Sequence, residues 1–242
     1  MISQVYKIAG KNIKINSIYQ DVHDYCKEYI SIGNVDFKVT TTLEDIKNEQ
    51  KNSDEENILE NKKIIKYSEG YLEELAVYRK IVEKLIDYNT ILLHGSVISI
   101  DGEGFLFTAK SGTGKSTHTK LWREFLGEKA IMVNDDKPLL KIEENVIVYG
   151  TPYTGKHGIG YNINVPLKAI CILNRGEKNT IKEIDQNEVY TKLIQQVYKP
   201  NEIKKLEKTI KLVNELLKKV KFYSLECNMN IEAAKIAYEG MK

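Results

Sequence analysis

The chain has 242 residues with 36 Lys and Arg against 34 Asp and Glu, a net charge of +2, and 42% hydrophobic and 29% charged residues. Those values describe a globular chain of one or two domains, and they leave no electrostatic footprint for nucleic acid or an anionic membrane. No apolar stretch approaches the roughly 20 residues of a membrane span. Residues 1–7 lack the basic-then-apolar layout of a signal peptide, and Cys26, Cys171 and Cys227 are too scattered for a C-x-x-C zinc pair or a disulfide framework. The expectation is a cytoplasmic, enzyme-like protein.

Alternating patterns predict strands at residues 5–8, 13–15 and 35–39. Residues 44–66 are dense in charge and amide and poor in apolar side chains, so they read as an exposed connection, with a hairpin around Ile58-Leu59 and Ile64-Ile65. From 71 to 88 the period becomes helical, with Leu72, Leu75, Ala76, Val82, Leu85 and Ile86 on one face. Residues 1–90 are therefore expected to be a strand-rich N-terminal region carrying the amphipathic helix 71–88, and 91–242 a second domain.

That second domain opens with apolar runs at 91–93 and 97–100, a turn at 101–104 and a buried strand at 104–108. Next comes Ala109-Lys110-Ser111-Gly112-Thr113-Gly114-Lys115-Ser116-Thr117, followed by helix 117–125. Gly112 and Gly114 let the backbone curl its N–H groups around an anion. Lys115 brings a compact positive charge to β- and γ-phosphates, Ser116 offers a hydroxyl to Mg²⁺, and the helix N-terminus favours negative charge. The pattern G-x-x-x-x-G-K-[ST] departs only at Ala109, which is tolerated if that residue needs no positive φ. Ser111 to Thr117 are the candidate nucleotide-binding residues.

Further strands are expected at 130–133, 147–149 and 169–173. Ile203, Leu206, Ile210, Val213, Leu217 and Val220 mark a helix, and strand 221–226 and helix 231–241 end the chain. His118, Cys171 and Cys227 read as packing or surface residues, and Met229, Ala233 and Ala234 as core contacts. Asp135 and Asp136 end an apolar run one helix and one returning strand after Ser116, which brings them to the loop's end of the sheet. Adjacent acids point to opposite faces, so one suits Mg²⁺ and the other general-base work; which does which stays open. His94, at a strand end before Gly95, is a further catalytic candidate. The shaped segment 150–158 offers Lys156 and His157 to a substrate, and Arg175 follows the strand 169–173.

His94-Gly95, the run Ser111-Gly112-Thr113-Gly114-Lys115-Ser116 and Asp135-Asp136 resemble the nucleotide-binding core of HPr kinase/phosphorylase, a core similar to that of ATP-dependent phosphoenolpyruvate carboxykinase. The runs SGTGKSTHTKLW, NDDKPLL, GTPYTGKHG, NVPLKAI and CNMNIEAAKIAYEGM are similar to those of a group of HPr-kinase-like proteins of low-GC bacteria. The resemblance implies an α/β fold with a phosphate-loop core, a mixed sheet flanked by helices, a β-rich N-terminal region and C-terminal helices. It implies Mg²⁺-ATP held by Lys115 and Ser116, with one aspartate as base toward an acceptor hydroxyl and His94 supporting the acidic pair. The chain lacks a glycine-rich C-terminal segment, which argues against the HPr protein as acceptor. With Arg79, Arg123 and Arg175 as its only arginines, it also lacks the carboxykinase substrate site.

The reading is an ATP-dependent kinase acting on a hydroxyl of a peptide, a protein or a small molecule, with homo-oligomerisation left open. The alternative is a non-catalytic ATP-binding regulatory module. A switch GTPase or motor ATPase would carry N-K-x-D or a strand ending in Asp-Glu, and a protein kinase H-R-D and D-F-G; none is present.

Overall fold

The computed structural model describes residues 1–59, 61, 63–155 and 158–242. The chain divides into two compact units, Met1–Lys84 and Leu85–Lys242. In the first, β1 (Ile2–Ile8) pairs antiparallel with β2 (Lys11–Ser17), which pairs parallel with β3 (Phe37–Thr40). A short helix α1 (Asp21–Tyr25) separates β2 from β3, and two long helices follow, α2 (Leu43–Leu59) and α3 (Glu69–Leu85).

Helix α2 replaces the exposed connection and hairpin that the sequence suggests for 44–66, so the N-terminal unit is as much helical as strand-rich. Its apolar stripe is nearly absent: the residues it buries are Ile46 and Glu49. Charges anchor it instead. The Arg79 guanidinium of α3 donates to Glu49 Oε2 at 2.9 Å, and Lys80 Nζ lies 2.9 Å from Asp45 Oδ2. Thr42 and Asp45 cap the first turn reciprocally, with Thr42 N–H donating to Asp45 Oδ2 at 2.8 Å and Asp45 N–H to Thr42 Oγ1 at 3.3 Å. Helix α3 buries Leu72, Ala76, Val77, Ile81 and Val82 together with one carboxylate, Glu73. Glu73 is satisfied by the backbone N–H groups of Ile18 and Tyr19, each at 2.7 Å, and by the Thr41 hydroxyl.

The second unit begins with β4 (Thr90–Leu92), β5 (Ser96–Ile100), β6 (Glu103–Thr108), helix α4 (Lys115–Leu126) and β7 (Ile131–Asn134). It continues through β8 (Leu139–Ile142), β9 (Val146–Tyr149), the 12-residue β10 (Asn164–Arg175), β11 (Thr180–Glu183) and α5 (Gln186–Leu193). Helix α6 (Ile203–Lys219), β12 (Lys221–Cys227) and α7 (Ile231–Met241) complete it. Asp101 and Gly102, at φ 50° and 82°, form the tight turn between β5 and β6.

Among the described residues these strands form one mixed sheet, in the order β4-β8-β9-β10-β6-β5-β7, with β12 beside β10 and β11 beside β12. β10 holds it together. Residues 164–166 pair antiparallel with β9, and the rest runs parallel to β6 on one side and β12 on the other. Its side chains alternate between two cores: Ile170 and Ile172 join α5 and α6, whereas Ala169, Cys171 and Leu173 join α4 and α7. Burial on both faces is why the strand reads as an unbroken apolar run. Trp122 of α4 is fully buried on the second face, edge-on to Phe107 and Tyr238. Two side chains depart from the sequence reading: Ile203, at the start of α6, is 72% exposed, and Met229, expected in the core, is 78% exposed. No described helix is long and apolar enough to cross a membrane.

Glu74 of α3 supplies a pH test. Burial, and then the charge of Asp21, push its carboxyl up to about 7. A carboxyl raised on folding stabilises the protein below its unfolded pKa, and that contribution is lost as pH climbs through the folded value. Because the side chain keeps partial solvent contact, Glu74→Gln should raise stability by only about 1 kcal/mol at pH 8, with the difference vanishing near pH 4.5. Urea midpoints at the two pH values check this; an equal shift at both would contradict it.

Candidate functional site

The loop 109–114 joins the C-terminal end of β6 to α4. Gly112 and Gly114 sit at φ 76° and 122°, conformations that favour glycine, and a Cβ added at either would meet nothing within 4 Å. Ala109 is not among the residues with positive φ, which explains why alanine serves where the pattern has glycine. Its carbonyl accepts from Lys115 Nζ at 2.9 Å, folding the ammonium back into the loop. Burial lowers the pKa of Lys115, while the charges of Asp136 and then Asp135 pull it back up. Arg175, at the end of β10, donates from its guanidinium to the carbonyls of Gly112 and of Thr113, the latter at 3.3 Å.

β5 runs antiparallel to both β6 and β7, so β6 and β7 point the same way and end at the same sheet edge. Asp135 and Asp136 follow β7 there. Asp135 is 3% exposed; the Ser96 hydroxyl donates to its carbonyl at 2.8 Å and lies 3.1 Å from its Oδ1. Asp136 is more open, with Oδ1 3.2 Å from His94 Nδ1 and Oδ2 4.0 Å from Lys137 Nζ. Burial lowers the pKa of His94 against the pull of Asp136, and the positive charges of Lys115 and Lys137 add to the drop. The ring is therefore neutral at physiological pH. His94 is fixed through its backbone, its N–H donating to the Gln196 carbonyl at 2.8 Å and its carbonyl accepting from the Thr108 hydroxyl at 2.7 Å.

One buried amide organises the acidic turn. Asn134 Oδ1 accepts from the N–H groups of Asp136 at 2.9 Å and Lys137 at 2.6 Å, while its Nδ2 donates to Thr151 Oγ1 at 3.0 Å and the Tyr153 carbonyl at 3.3 Å. The shaped segment is thereby drawn behind the aspartates: a Cβ on Gly155 would lie 3.2 Å from Asp136 Cβ. Lys156 and His157 lie outside the described residues. Lys115, Asp135, Asp136 and His94 are thus brought together, with Arg175 across the loop from them. Sequence reasoning passes over Ser96, Thr108, Asn134, Thr151 and Gln196. The one signal for Asn134 is its place directly before the aspartate pair.

Two cavities flank the loop. One, of about 420 Å³, lies between the loop, the end of β10 and residues 192–196; the other, of about 440 Å³, runs along the first turns of α4 to Cys227, Asn228 and Met229. Among the described residues no cluster of three or more His, Cys, Asp or Glu could hold a metal by itself.

A sequence model of the family described as SynChlorMet cassette protein ScmC matches residues 62–233. The chain belongs to that family. The ScmC match takes in the loop, His94, the aspartate pair, Arg175 and both cavities, and it leaves β1, β2, β3 and α2 outside. No curated protein sequence matches the chain. Among solved structures, the Hpr(Ser) kinase/phosphatase from Coxiella burnetii is similar at 12% identity, over 61% of this chain and 94% of that one, with a TM-score of 0.35. A superposition that loose carries no argument about side chains.

Two substitutions check the local reading. Asn134→Ala strands two backbone N–H groups and should cost about 2–4 kcal/mol in denaturant unfolding; a loss under about 0.5 kcal/mol would show that Asn134 is not the hub. Ala109→Gly should cost about 1 kcal/mol, through a buried methyl and added chain freedom. A stability equal to the parent chain's would mean that residue 109 is strained.

Proposed function

We propose that this protein is an ATP-dependent phosphotransferase that phosphorylates a hydroxyl group. The observation that carries the reading is the glycine-rich loop with Lys115 folded back onto it, at the same end of the sheet as an aspartate pair whose charges act on Lys115. The residues fit the cofactor. Backbone N–H groups from 110–117 and the start of α4 suit polyphosphate. For Mg²⁺ the protein need supply only one or two carboxylates and a hydroxyl, the remaining ligands being phosphate and water, and Ser116 with Asp135 meets that demand. When bound, Mg²⁺-ATP supplies the γ-phosphoryl group.

Lys115 exchanges the Ala109 carbonyl for phosphate oxygens and neutralises charge there. Asp135, held by Ser96, is the metal-side carboxylate. Asp136, more open and lying against a neutral His94, is the general base. With the nucleotide bound, Asp136 would take the acceptor's hydroxyl proton, so that the phosphoryl group passes to the acceptor oxygen and ADP leaves. The cavity along α4 runs from Gly112–Gly114 past Thr117 to Asn228, which suits it to the base and ribose. This reading agrees with the motif resemblance to HPr kinase/phosphorylase.

Titration with ATP and Mg²⁺, followed by γ-³²P transfer over a panel of hydroxyl acceptors, tests the proposal. Lys115→Ala should abolish ATP binding. Asp136→Asn should keep it while transfer falls about 10²- to 10⁴-fold. An Asp136→Asn protein as active as wild type sinks the assigned base. Tight ATP binding with neither hydrolysis nor transfer would instead identify a nucleotide-binding regulatory module.

A further inference from the structure

The cavity of about 420 Å³ between the loop and α5 has one chemical character. Lys110, Arg175 and Lys192 line it with three positive charges, Asn174, Gln195 and Gln196 add amides, and Ile172 and Leu173 supply an apolar floor. No carboxylate is among its lining residues. Other lysines of the chain pair with acids, as in Lys182–Glu188 and Lys168–Glu103. Among the described residues Lys110 and Lys192 form no ion pair, and the Arg175 guanidinium rests on backbone carbonyls rather than on an acid. Three cationic residues bordering one cavity whose lining has no carboxylate favour an anion there.

The cavity is also joined to the aspartate side of the loop. Two of its lining residues, Thr108 and Gln196, hold the carbonyl and the N–H of His94, and the His94 ring lies against Asp136. The second cavity has no such link; it follows α4 past Thr117, His118 and Leu121. The two spaces are therefore not equivalent. Neither lining includes His94 or an aspartate, and both include Thr113, Leu173, Asn174 and Arg175; what sets the first apart is its contact with the two residues that fix the His94 backbone.

We infer that the cavity between the loop and α5 binds the phosphate acceptor, and that the acceptor is a small hydroxyl-bearing molecule carrying its own anionic group. Lys110, Lys192 and Arg175 hold the carboxylate or phosphate, the Gln195 amide orients it, and the hydroxyl points past His94 toward Asp136. The size suits a small molecule, within the ordinary range of pockets for such ligands. This rests on the phosphotransferase reading for the direction of the hydroxyl, but the anion site itself does not.

The test is a calorimetric titration of the full chain, with the loop first occupied by Mg²⁺ and a non-hydrolysable ATP analogue. D-glycerate, glycerol 3-phosphate and uncharged glycerol are the probes. The expected result is millimolar or tighter binding of one or both anionic probes and none of glycerol, with Lys192→Glu weakening the anionic probes about tenfold or more. The carboxylate and phosphate arms tell the two anions apart. Equal binding of glycerol, no binding of either anion, or no effect of Lys192→Glu overturns the inference; so does transfer to an exposed protein serine with no transfer to any anionic small molecule. Binding of the ATP analogue is read separately in the same protein. If it fails, the nucleotide reading falls, and the anion site is then judged by the Lys192→Glu difference in the nucleotide-free protein.

Discussion

The parallel pairing of β6 with β10 is the constraint on which the candidate site depends. It places the end of β6, where the loop departs, beside the end of β10, where Arg175 reaches back to the loop carbonyls. Because β10 also pairs with β9 and β12 and is buried on both faces, it has little freedom to shift. A one-residue slip would turn Ile170 and Ile172 toward α4 and α7, setting a branched side chain where Cys171 now sits. The rigidity of a central strand thus passes to a loop that has no ladder of its own.

The same sheet edge divides the chemistry. β7 brings the carboxylates, β6 the loop, and the residues before β5 the histidine, so groups distant in sequence meet through strand direction alone. Electrostatics then sort them. Lys115 and His94 share a site that disfavours charge through burial; Asp136 counters that tendency for both, and Asp135 for Lys115. The two cavities meet at Thr113 and the end of β10, where Arg175 lines both; the first adds Lys110 and Lys192, the second the first turns of α4.

Some of this was legible in the residues. Strand, glycine-rich loop and helix in series carry their own signals, and so does the turn at Asp101-Gly102. The apolar run of β10 announces a strand covered on both faces. Helix α2 was hidden because its anchors are Glu49 and Asp45, paired with arginine and lysine on another helix, and such pairs leave no periodic apolar stripe. The short strands β8 and β11 and the eight-residue α5 carry too few residues for a period to emerge. Asn134 and Ser96 act through backbone partners, which no spacing in a sequence encodes. Ile203 and Met229 fit an apolar pattern yet point to solvent, because a pattern marks what can be buried rather than what a neighbour covers.

The loop is held in shape by Lys115 on the Ala109 carbonyl and by Arg175 on those of Gly112 and Thr113. A ligand entering it exchanges one acceptor for another and has no disordered segment to fold. Its binding should therefore show a small heat-capacity change, and an association rate set by diffusion and charge rather than by a slow rearrangement. The staples that keep the loop in shape also compete with the ligand, so the measured affinity is a difference between two well-formed sets of hydrogen bonds.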